Sequence, residues 1–102
     1  CSSLAYYAWR SAGVSIMYEG SNTAASEGKL CYDNNLLVNY DEMQPGDLIF
    51  YSYDRNGRFM NITHVAIYVG NGKVVEAANT RLGVVYRPVQ GRSSIVFIGR
   101  PR

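Results

Sequence analysis

Histidine occurs once in this chain and cysteine twice, and that scarcity already narrows the chemistry. Cys1 and Cys31 form no CxxC pair and match no zinc-ligand spacing, so no structural metal is expected, and at most one disulfide. Such a disulfide would consume the thiol that any nucleophilic role needs. Long apolar runs are missing too: none approaches the ~18 residues required to cross a bilayer. No signal peptide precedes Cys1, so any targeting segment is expected outside this sequence, and the chain is expected to be cut from a longer protein. Clusters of positive charge are also lacking. The formal net charge is +2, and the Lys and Arg residues are scattered apart from Arg100 and Arg102, which argues against nucleic acid as a partner. Internal repeats and low-complexity linkers are absent.

What is present suits one globular domain over residues 1–102. The hydrophobic share is 47% and the charged share 18%, with enough chain for a single core. Nine tyrosines fit β-strand faces, or a groove where several converge. In residues 60–79, two runs rich in β-branched and aromatic residues flank Gly70, Asn71 and Gly72, which predicts a β-hairpin with a positive-φ turn. Pairing about Asn71 makes facing residue numbers sum to about 142. His64 then lies diagonal to Glu76 on one face, with Ala66, Tyr68 and Ala78; a one-residue bulge is expected to undo this.

A lone histidine on a strand is ordinarily structural, and a suitably placed cysteine changes that balance. Residues 1–13 place Leu4, Ala5, Ala8, Trp9 and Ala12 at three- and four-residue steps, with Gly13 as a stop, predicting an amphipathic helix. Cys1 falls at its N-terminus, where unpaired N–H groups and the helix dipole lower a thiol's pKa and can bind an oxyanion. Three other readings compete for Cys1: a small packed residue, a lipidation site, and an N-terminal nucleophile using its own amine.

Between these elements the chain carries fewer signals. Ser21, Asn22 and Thr23 start a helix of one or two turns that Gly28 ends. Cys31 reads as a packed residue, and Asp33, Asn34 and Asn35 mark a turn. Pro45-Gly46 is a turn pair leading into a strand from Asp47, and residues 54–58 reverse the chain so that this strand pairs antiparallel with the one carrying His64. Asp41, Glu42 and Asp47 suit capping and solvation better than acid/base work. Residues 84–86 and 95–98 supply two more strands, with loops at 79–83 and 88–94. That order predicts an α+β domain, with the helix packed on a five- or six-stranded antiparallel sheet.

Three segments in this order and spacing carry a resemblance: Cys1 to Trp9 opening a helix, Gln44 to Tyr51, and His64 to Lys73. Together they resemble the NlpC-type cell-wall peptidases, a papain-like cysteine peptidase family of bacteria, over nearly the whole chain. The resemblance implies a papain-like core with the cysteine on its N-terminal helix. It also implies cleavage of peptidoglycan stem peptides, typically between γ-D-glutamyl and a diamino acid. It maps the nucleophile to Cys1, the base to His64 and the imidazole-orienting residue to Glu76, where the family usually has histidine and sometimes Asn or Gln. Asn79 is the alternative orienter if Glu76 faces solvent.

Other positions depart from the family pattern. Ser3 stands where glycine is common, and the aspartate usual before the cysteine and an upstream tyrosine lie outside the sequence. Tyr18, Glu19, Gly20 and Ser21 replace an Arg-Thr-Ser type segment. The implied enzyme needs no cofactor, is a monomer joined to other domains of a secreted protein, and works outside the cell or at the wall, or in a periplasm. Two alternatives stay open: a peptidoglycan-binding module with little turnover, and an amidase or acyltransferase on the same frame.

Overall fold

A computed structural model of the chain describes residues 2–16, 23–53, 55, 57–79 and 83–101. Helix α1 spans Ser2–Ser11 and α2 spans Ala24–Asp33. The strands are β1 (Leu37–Val38), β2 (Leu48–Tyr51), β3 (His64–Gly70), β4 (Lys73–Asn79), β5 (Gly83–Pro88) and β6 (Ile95–Gly99). They form one sheet in the order β1-β6-β2-β3-β4-β5, and every pairing is antiparallel. The expected α+β architecture is borne out with six strands, the two-residue β1 being the one the pattern did not reveal.

Each turn forms for a local reason. Gly13 takes a φ of 87°, and its N–H reaches back to the carbonyl of Arg10 at 2.9 Å, closing α1 as a left-handed glycine cap does. Thr23 caps α2 by accepting the Ser26 N–H at 3.2 Å. Pro45 and Gly46 hold the middle of a turn closed by the Asp47 N–H on the Gln44 carbonyl, 3.0 Å, with Gly46 at φ 99° as a type II turn requires. Trp9 of α1 donates its indole N–H to the Gly46 carbonyl at 3.0 Å, tying helix to turn.

Helix α2 does not stop at Gly28. It continues to Asp33 because Gly28 serves packing rather than termination: an added Cβ would lie 2.7 Å from Ile62 Cδ1 and 3.3 Å from Phe50 Cδ1. The missing side chain lets the helix sit close on the sheet. Leu48, Phe50 and Val65 on that sheet face join Ala5, Ile16, Ala24, Ala25 and Cys31 in one core, with Trp9, Ile67 and Phe97 packed at its edge. Cys31 is fully buried, as its apolar run predicted, and is a free thiol. The opposite face carries a second cluster of Ile49, Tyr51, Ala66, Val74 and Ile98. Strand β2, central between β6 and β3, is buried along its whole length.

Asp47 corrects the expectation of a solvated turn carboxylate. It is 1% exposed, accepts the Gln44 N–H at 2.8 Å and pairs with Arg100 through bonds of 2.8 and 3.0 Å. The capping role holds, but the charge is satisfied by a guanidinium instead of water.

Candidate active site

The β3–β4 hairpin turns through Asn71 and Gly72, at φ 55° and 71°, with Gly70 opposite Lys73. A plain two-residue turn would continue with facing numbers summing to 143, which sets His64 and Glu76 on opposite faces. Instead the register shifts between Tyr68 and Gly70, leaving Val69 unpaired, and the ladder resumes with Tyr68 opposite Val74 and Ile67 opposite Val75. The sum is then 142, as the sequence suggested, but for the opposite reason. The bulge expected to separate His64 from Glu76 is the feature that puts them on one face.

His64 Nε2 lies 2.7 Å from Glu76 Oε1. Glu76 is 5% exposed, so it does not face solvent. Its carboxylate also takes Arg87 Nη2 on Oε1 at 2.9 Å and Arg87 Nε on Oε2 at 3.3 Å. Burial works against the charged form, yet the hydrogen bonds from Arg87 and His64, reinforced by their charges, outweigh it and hold Glu76 below the usual carboxylate range. An ionised carboxylate only accepts hydrogen bonds. Nε2 therefore carries a proton and donates it to Glu76, which in the neutral imidazole leaves Nδ1 with its lone pair free. Among the described residues Nδ1 has no hydrogen-bond partner.

Two tyrosines wall the imidazole. Tyr51 pairs with His64 across β2 and β3, and its ring centroid is 5.8 Å from the histidine's. Tyr53 stacks on Tyr51 at 5.3 Å and 12° and stands 6.1 Å from His64. Burial raises both phenols above their ordinary range, so each presents a neutral ring. Among the described tyrosines, these two converge on the site.

The structure thus joins two of the three expected residues, His64 and Glu76. Cys1 lies outside the described residues, as do the side chain of Asn79 and the 18–21 segment. Helix α1, which begins directly after Cys1, packs against β3, the strand that His64 opens. Arg87 was missed by the sequence reading. Glu76 pairs with Val85 and Val74 with Arg87, so Arg87 is the diagonal neighbour of Glu76 on the same face. Finding it required the β4–β5 register, which the intervening residues do not declare.

Comparison with known proteins gives the family of the chain. The family model described as NlpC/P60 matches residues 1–96. A probable endopeptidase p60 of Listeria seeligeri is 33% identical over 91 residues, covering 89% of this chain and 14% of the relative. The peptidoglycan DL-endopeptidase CwlO of Bacillus licheniformis is 37% identical over 82 residues, covering 79% of this chain and 16% of the relative. This chain therefore spans about one seventh of the curated relatives it matches. Among solved structures, the P60 domain of an antigen from M. avium subspecies paratuberculosis superposes with a TM-score of 0.70 at 29% identity, covering 98% of this chain and 63% of that one. With a family model spanning nearly its full length and the α+β sheet of its structural neighbours, the chain belongs to the NlpC/P60 family.

Proposed function

We propose that this chain is the catalytic domain of a cell-wall cysteine endopeptidase that hydrolyses an amide bond in peptidoglycan stem peptides, between γ-D-glutamyl and a diamino acid. The observation that carries this reading is the 2.7 Å contact between His64 Nε2 and Glu76 Oε1. It supports the tautomer in which Nδ1 is the free base. Membership in the NlpC/P60 family, and the position of Cys1 immediately before α1, support assigning the nucleophile to Cys1.

In this mechanism His64 Nδ1 takes the Cys1 thiol proton, and the thiolate attacks the scissile carbonyl carbon. Backbone N–H groups at the start of α1, the Cys1 N–H included, receive the oxyanion. Collapse breaks the C–N bond, and His64 returns its proton to the leaving amine. A water molecule then gives a proton to Nδ1 as its oxygen attacks the thioester, releasing the carboxylic acid and restoring the thiol. Glu76 stays ionised throughout and holds the ring. The enzyme acts on the outer side of the membrane, where its substrate lies, and as a monomer.

Digestion of purified muropeptides by the parent, Cys1→Ala and His64→Ala chains, read by mass spectrometry, tests this. Each substitution is expected to cut turnover on the order of a thousandfold or more. Unchanged cleavage by Cys1→Ala overturns the assignment. Muropeptide binding without product overturns hydrolysis in favour of a binding module, and transfer of the acyl group to an amine in place of water marks an acyltransferase.

A further inference from the structure

We propose that Arg87 is a positioning residue that cancels the charge of Glu76, so that the Glu76–Arg87 pair acts on His64 as a neutral hydrogen-bond acceptor. This rests on the catalytic role of His64 proposed above. It answers a problem of charge. In the mechanism the imidazolium must surrender its Nδ1 proton to the leaving amine, and a bare carboxylate 2.7 Å from Nε2 would favour the imidazolium more strongly than a paired one does.

The geometry supplies the compensation. His64 and Arg87 share one acceptor atom, Oε1, at 2.7 and 2.9 Å, and the Arg87 fork closes on Oε2 at 3.3 Å. A guanidinium keeps its charge at every working pH. The field that reaches the imidazole is therefore that of an ion pair, which falls off faster with distance than that of a lone anion. The acceptor oxygen and its direction are unchanged, so orientation is kept while the electrostatic pull is reduced.

Among the described residues the remaining surroundings of Glu76 add no other charge. Among the described residues, the groups that bear on Glu76 are His64 from β3, Arg87 from β5, and the phenols of Tyr51 on β2 and Tyr53 just after it. The side chains of His64 and Glu76 are 13% and 7% exposed, so solvent does not replace the guanidinium as a screen. Arg87 stands half out of the sheet, at 35%, anchored through its polar end.

His64 is the chain's single histidine, so one imidazole signal in NMR reports its protonation without reference to turnover. The experiment compares parent, Arg87→Gln, Glu76→Gln, the double variant Glu76→Gln/Arg87→Gln, and Arg87→Lys. In Arg87→Gln the titration midpoint is expected to rise by about one pH unit, and in Glu76→Gln to fall, because one uncompensated charge is left in each case. The double variant restores a neutral acceptor and is expected within ~0.3 unit of the parent. Arg87→Lys, which keeps the charge and loses the fork, is expected to stay with the parent. Muropeptide kcat/KM should follow, about 10-fold lower in Arg87→Gln and partly recovered in the double variant. An unchanged midpoint in Arg87→Gln, or a double variant no closer to the parent than Arg87→Gln, overturns the proposal and leaves Arg87 a structural clamp. Absence of cleavage by the parent would defeat the hydrolase reading alone, since the titration still decides the role of Arg87.

Discussion

Replacing Glu27 by methionine isolates the energetic weight of a single buried carboxyl. Glu27 lies on the core side of α2 and is fully buried, and among the described residues neither carboxyl oxygen has a hydrogen-bond partner. Burial pushes its pKa from an ordinary 4.5 up to about 9. At pH 7 the folded chain therefore keeps a proton that the unfolded chain has already released. The folded state binds more protons between these two values, and its stability falls as pH rises. The slope is about 1.4 kcal/mol per pH unit, and the loss accumulated from pH 4.5 to 7 is about 3 kcal/mol. Methionine has similar volume and no proton to lose. The assay is urea unfolding of parent and Glu27→Met at pH 5, 6, 7, 8 and 9. The variant's advantage should widen by about one proton's worth per pH unit and level off near pH 9. A difference that stays flat over this range would refute the reasoning, because it would mean that Glu27 is ionised in the folded chain.

Other substitutions probe the fold and its thiols. Gly28→Ala should destabilise the chain by about 1 kcal/mol once the gain in helix propensity is set against overpacking, since its Cβ meets Ile62 Cδ1 at 2.7 Å and Phe50 Cδ1 at 3.3 Å; a urea midpoint at or above the parent's would show that Ile62 yields at no net cost. Burial pushes the Cys31 thiol up to about 12, so iodoacetamide at pH 8 should leave Cys31 unmodified until urea unfolds the chain. Peptide mapping after labelling checks this, and a carbamidomethylated Cys31 in folded protein contradicts it.

The parts of this fold legible in the sequence are those with local causes. Gly13, Thr23, the Pro45-Gly46 pair and the Asn71-Gly72 turn each act within a few residues, and each forms as its chemistry predicts. The parts that were not legible depend on distant partners. Gly28 reads as a helix stop until Ile62 and Phe50 are seen against it. Asp47 reads as a solvated turn carboxylate until Arg100, 53 residues away, closes on it. Strand β1 is too short for any alternation to show, and its pairing with β6 is what defines it. Within the site, parity set the histidine and its acid on one face only because two misreadings offset each other, a turn centred on Asn71 and a ladder without a bulge, whereas Arg87 required the register of a second hairpin. Glu27 is a charged residue carried inward because its neighbours Ala24, Ala25, Gly28 and Cys31 belong to the buried side of α2.

The unpaired Val69 also bears on how relatives should be recognised. Because it is the surplus residue in the ladder, a chain lacking it would keep Gly70 opposite Lys73 and Tyr68 opposite Val74, with its base and acid still side by side. Separations of eleven and of twelve residues are then geometrically equivalent, whereas twelve without the bulge is not. A search pattern written with one fixed gap between the two residues would discard competent sequences and admit incompetent ones. Alignment gaps in this hairpin are best scored by which face each residue reaches.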